Sequence, residues 1–107
     1  MGKKVYDLEE RTYLYAKAVR AFVKTLEKSI WNKEDIRQGV RSSGSVAANY
    51  IEVNDSLGPK EKLMKVRICK KEAKETILWL RLPDVYEKQE PARAALIKEG
   101  NEIKTNL

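Results

Sequence analysis

Glu72 and Glu75 stand three residues apart in a Lys-rich run, a spacing that puts two carboxylates on one side of a helix. Paired carboxylates of this kind hold the metals of di-iron helical bundles, but those sites take a Glu-x-x-His unit from two of their helices. The 107-residue chain contains no histidine at all. That removes the commonest general base and the commonest transition-metal ligand, and with them catalytic triads and zinc sites. Ser42 to Ser45 carries one glycine and lacks the G-x-x-x-x-G-K-[ST] pattern that turns backbone N–H groups toward phosphates. An enzyme would have to be built from Lys, Glu, Tyr and Ser alone. The sequence is therefore read as non-enzymatic, with no metal and no cofactor.

The second chemistry on offer is electrostatic. Residues 60 to 81 hold eight Lys or Arg against three Glu, leaving the other 85 residues one charge from neutral. Lys60, Arg67, Lys71, Lys74 and Arg81 share one helical side, well separated from Glu72. A net charge of +6 with this concentration favours an acidic partner, with RNA or DNA first among them. The side has no cluster of aromatic rings on which bases could stack, so binding without sequence preference is expected.

Helices must position these groups. Only three Pro and five Gly, with 42 % hydrophobic residues, argue for long helices around one core in a single domain spanning 1–107. No run approaches the roughly 18 apolar residues of a membrane span, and no apolar leader is evident; the cytoplasm is the expected location and no membrane partner is expected. The single cysteine, Cys69, reads as a small buried apolar residue. Asp7 and Glu10 form a capping pair for a first helix running to about Glu27, striped by Leu8, Thr12, Tyr15, Val19, Phe22 and Leu26. Asn32 can cap a second helix reaching Asn54, with Ile36, Val40, Ser43, Ala47, Tyr50 and Ile51 inward. Pro59 suits the first turn of a third, which Pro83 stops near Leu82. Pro91 opens a fourth, lined by Ala92, Leu96, Ile103 and Leu107, with Gly100 weakening it by about 1 kcal/mol. The expected fold is all-α: an antiparallel up-down-up-down four-helix bundle.

Helices two and three each carry a second stripe. On the third, Val66, Cys69, Ala73, Ile77 and Leu80 form the expected core seam, while Lys65, Ile68, Glu72, Glu75 and Trp79 form another. On the second helix Ser42, Val46, Asn49 and Val53 lie away from the expected inner face. If one seam suffices to join a bundle, the second demands a further partner, and another copy of the chain is the expected one. Small residues from Ser42 to Ala48 permit close backbone approach, and Arg41, Asn49, Glu52, Lys65, Glu72 and Glu75 could share a charge-assisted network.

The strings DLEERT at Asp7–Thr12, RSSGSVAANYIE at Arg41–Glu52, and ICKKEAKET followed by WLRL in the third helix resemble a bacterial four-helix-bundle family. That family was first met as proteins encoded in intervening sequences of 23S ribosomal RNA genes. The resemblance covers about residues 6 to 82 and implies an antiparallel bundle assembling as a homopentameric ring. A similar accessory variability protein of diversity-generating retroelements forms such a ring and works with nucleic acid and a reverse transcriptase. By resemblance, Arg41, Ser42, Asn49, Glu52, Lys65, Glu72 and Glu75, with Trp79 beside them, are structural or interface positions, and the second seam adds Ile68 to the expected interface. The chain departs from the family's pattern at Val53, Asn54, Asp55 and Leu78. Two roles follow as expectations: a homo-oligomer binding RNA or DNA through Lys60, Arg67, Lys71, Lys74 and Arg81, or a scaffold for a neighbouring-encoded enzyme such as a reverse transcriptase.

Overall fold

Asp7 opens the first helix as its spacing to Glu10 predicts. In the computed structural model, which describes residues 7–107, its Oδ1 accepts the Glu10 N–H at 2.8 Å. One of the donors that a helix start leaves free is thereby satisfied. Tyr6, where the family resemblance begins, lies outside the described residues. α1 spans Leu8–Val23, α2 Ile30–Asn54 and α3 Pro59–Arg81; a 3-10 turn at Glu87–Gln89 leads into α4, Glu90–Asn106. The described residues contain no strand.

Each helix packs against two others. α1 and α3 both lie against α2 and against α4, and the pairs α1/α3 and α2/α4 face each other across the diagonals. Tyr15, Val19, Phe22, Val23 and Leu26 of α1 and its exit meet Leu80, Leu96 and Ile103 in one buried cluster. The apolar stripe read from α1 is the one buried, Thr12 included, with only Leu8 at its start left half-buried.

Three boundaries differ from the sequence expectation. α1 stops at Val23 rather than Glu27, and the Lys28 ammonium donates to the carbonyls of Val23 (3.4 Å) and Leu26 (2.7 Å) beyond its end. α2 is capped by Ser29, whose Oγ accepts the Asn32 N–H at 3.1 Å, so Asn32 is not the cap. Asn32 is instead buried: its Nδ2 donates to the carbonyls of Glu27 and Asp84 at 3.0 Å each, and its Oδ1 accepts the Asp84 N–H at 2.9 Å. One side chain thus ties the α1–α2 link to the α3–α4 link. α4 begins at Glu90, one residue before Pro91.

The reading of the seams needs a larger correction. Ile51, expected inward, is 45 % exposed, whereas Ser42, Val46 and Val53 from the supposed minor stripe are buried. That stripe packs on α3 within the same chain, against Cys69 of the expected core seam and against Thr76 between the two seams, while Lys65 of the second seam also reaches α2. Ser42 Oγ lies 2.7 Å from Thr76 Oγ1, both fully buried; the Cys69 thiol donates to the Val46 carbonyl at 3.6 Å; and Lys65 pairs with Glu52. Residue numbers rise along α2 as their partners' fall along α3. The physical reason is geometric. A helix in a square bundle has two neighbours, so it needs two seams, and the second seam does not by itself require another copy.

Candidate nucleic-acid interface

Lys60, Arg67, Lys74 and Arg81 recur every seven residues along α3, which sets consecutive cations about 10 Å apart on one line. Lys71 stands beside this line. All five are exposed, and among the described residues none of them shares an ion pair with a carboxylate. The helix can hold such a row because its uncharged residues Cys69, Ala73, Thr76 and Leu80 bury the opposite arc.

The carboxylates of α3 are drawn elsewhere. Glu72 is only 9 % exposed and receives Arg41 Nη2 at 3.2 Å; Glu75 meets the same nitrogen at 3.5 Å. One guanidinium from α2 therefore occupies both carboxylates that could have been thought a metal pair. Among the described residues no three Asp, Glu or Cys side chains converge in a way that could hold a metal ion. Glu61 accepts the Leu57 N–H at 3.4 Å and lines a shallow depression with Lys60, Leu63, Met64 and Arg67. The N-terminal end of the cationic row is thus partly offset by an acid; the C-terminal end is not.

The remaining polar positions divide. In place of one network there are two separate sets across α2 and α3: Arg41 with Glu72 and Glu75, and Lys65 with Glu52. Asn49 does not join them: its Nδ2 donates to the Ser45 carbonyl (2.9 Å) and Oγ (3.0 Å) within α2. Ile68 and Trp79 are half-buried, with the Trp79 Cβ within 3.5 Å of where a Cβ on Gly39 would stand and the indole Nε1 buried without a partner. Burial pushes the Cys69 thiol up to about 11, as befits a packed residue rather than a reactive one.

Sequence reasoning missed Thr76, the partner of Ser42, although its four-residue steps from Glu72 and to Leu80 place it on the buried arc. It also missed α4. Lys104 and Asn101 line an open groove of about 400 Å³ with Lys74, Ile77, Arg81 and Ile97, so the cationic surface extends beyond α3. Arg93 of α4 donates to the carbonyls of Leu80, Arg81 and Pro83 at 3.3, 3.1 and 2.8 Å, which satisfies the free end of α3.

Apolar side chains are exposed at both ends of the molecule. Ile30, Trp31, Leu82 and Tyr86 gather where the α1–α2 and α3–α4 links meet, and the Trp31 Nε1 donates to Asp84 at 2.7 Å. Leu57, 98 % exposed, stands in the α2–α3 link, and Leu63 and Met64 are exposed early in α3. No helix of the described residues is long and apolar enough to cross a membrane.

The chain is similar in fold to a crystal structure of a protein of unknown function from the S23 ribosomal protein family of Bacteroides thetaiotaomicron. The two share 22 % sequence identity at a TM-score of 0.75, over 92 % of this chain and 93 % of the other. No family model matches the chain, and no curated protein does.

Proposed function

We propose that this chain is a non-enzymatic, homo-oligomeric protein of the 23S ribosomal RNA intervening-sequence family, a cytoplasmic single-domain antiparallel bundle that binds RNA or DNA without sequence preference. The observation that carries the reading is the row Lys60, Arg67, Lys71, Lys74 and Arg81, exposed and without carboxylate partners while the acids of α3 are engaged by other groups. Cations left free on a rigid helix release phosphate counterions on contact, the dominant source of sequence-independent affinity for nucleic acids. The motifs of α1, α2 and α3 and the likeness to the S23-family structure support the family assignment.

The up-down-up-down course is supported by the opposed register of α2 and α3 and by Arg11 of α1 pairing with Glu99 and Glu102 near the end of α4. Assembly into a ring, a pentamer by family resemblance, rests on the exposed apolar ends at Ile30, Trp31, Leu57, Leu63 and Met64 rather than on the seams. Light scattering at high protein concentration tests it, and a monomer throughout would contradict it. Five aligned copies would multiply the α3 field.

The deciding experiment measures binding of mixed RNA and DNA between low and moderate salt, then repeats it with Arg67, Lys71 and Lys74 all replaced by Glu. Salt-sensitive binding lost in the triple variant supports the reading. No salt-sensitive binding, or full binding by the variant, defeats it. The same apolar ends favour a second reading, a scaffold for a neighbouring-encoded enzyme such as a reverse transcriptase. Recovery of one stoichiometric protein, undiminished by nuclease treatment, would favour that alternative.

A further inference from the structure

Resting on the nucleic-acid reading above, we infer that the seat of binding is the α3–α4 groove and that its ligand is single-stranded RNA. The cations Lys74 and Arg81 stand on its α3 rim and Lys104 on its α4 rim, over a floor of Ile77 and Ile97. No carboxylate lines it. The acids nearest in sequence point away to other helices: Glu72 and Glu75 are held by Arg41 of α2, and Glu99 and Glu102 by Arg11 of α1. Charge is therefore segregated by packing, so that pairs close on the α2 and α1 sides and three cations are left facing one cleft. The Lys60 end of the row, by contrast, has Glu61 in its midst.

Width selects the ligand. Packed helices have axes about 8 to 10 Å apart, so a cleft between two of them matches the width of one strand better than that of a duplex. The half-buried isoleucine floor offers apolar contact to sugar and base faces, which a duplex keeps turned inward. Asn101 selects the sugar. Its Nδ2 donates to the Ile97 carbonyl at 3.1 Å, which leaves the amide with an acceptor, Oδ1, on the groove. Within the sugar-phosphate backbone only a ribose 2′-hydroxyl has a hydrogen to give that oxygen, and DNA lacks it.

Fluorescence anisotropy with a labelled oligouridylate, the matching deoxy oligomer and a duplex of the same length tests this across a salt series. Three phosphate contacts to a single strand correspond to a slope of log K against log salt of about −2, and each cation removed should flatten it by about 0.7. Lys74→Gln and Lys104→Gln are expected to do so, while Lys33→Gln, an exposed lysine of α2 with the same change in net charge, leaves the slope in place. Asn101→Leu is expected to weaken RNA binding about fivefold and to leave DNA binding unchanged. Equal slopes for Lys33→Gln and Lys104→Gln would overturn the groove and spare the broader reading. Equal affinity for duplex and strand, or an Asn101→Leu variant that keeps any RNA preference, would overturn the ligand. Absence of salt-sensitive binding to all three probes would instead remove the nucleic-acid reading itself.

Discussion

The Tyr15 hydroxyl fills the space in which a side chain at Gly100 would begin: a Cβ there would stand 2.6 Å from Tyr15 Oη and 3.0 Å from Ile77 Cγ1. α1, α3 and α4 close on this point, so the glycine that weakens α4 locally is what lets three helices meet. The hydroxyl is buried without a hydrogen-bond partner. Gly100→Ala is expected to destabilise the fold by about 1 to 3 kcal/mol through overpacking, in spite of the gain in helix propensity. Tyr15→Phe, which deletes an unpaired buried hydroxyl, should be neutral or stabilise by about 1 kcal/mol, and should reduce the cost of Gly100→Ala in the double variant. Urea titrations of the four proteins complete the cycle; additive effects would contradict the contact.

Asn32 binds both links with three hydrogen bonds while almost wholly buried. Asn32→Ala should cost about 2 to 3 kcal/mol, because it strands donors and acceptors of the two links away from water. Asn32→Asp should cost at least as much, since a carboxylate cannot donate to the carbonyls of Glu27 and Asp84. Thermal unfolding of both variants checks the order, and an Asp variant as stable as wild type would refute it.

Arg41 compensates a nearly buried carboxylate from a half-exposed position. Its replacement by Ala should destabilise by about 1 to 2 kcal/mol, less than for a fully buried pair because water screens the guanidinium. Glu72→Gln in the Arg41→Ala background should recover most of that loss. Chemical denaturation measures it, and a further drop in the double variant would show that Glu72 is stabilised by something other than the charge of Arg41.

Stability at alkaline pH should reflect Cys69 and Tyr15. Burial raises the Cys69 thiol from 9.0 to about 11, so between those values the folded chain holds a proton that the unfolded chain releases. The contribution is complete below about pH 9 and is lost as pH rises through 11. Burial, aided by Glu99, pushes the Tyr15 phenol up as well, with the same sign. Urea midpoints between pH 8 and 11 should fall less steeply for Cys69→Ala than for wild type. Parallel curves would reject a thiol titration coupled to folding.

Much of the architecture was legible in the chain itself. Asp7, Pro59 and Pro83 mark helix boundaries through local chemistry, one donor to satisfy or one N–H missing, and such effects need no distant partner. The α1 stripe was readable because α1 has one densely apolar side. On α2 the same logic misled: Ser42 and Val46 looked like a minor seam because they lie on a different side from Ile36, Val40 and Ile51, yet Ser42 is satisfied by Thr76, 34 residues along the chain.

What the sequence determined was a set of four helices, their approximate ends and the excess of positive charge on one of them, since each follows from residues within a few turns of one another. Only the tertiary structure decided which seam met which, that both seams of α3 are used within one chain, and that Lys104 and Asn101 of α4 join the cations of α3. Periodicity specifies the angle at which a side chain leaves its own helix. It carries no information on which other helix lies at that angle, and that neighbour decides whether a charge is paired, buried or left free.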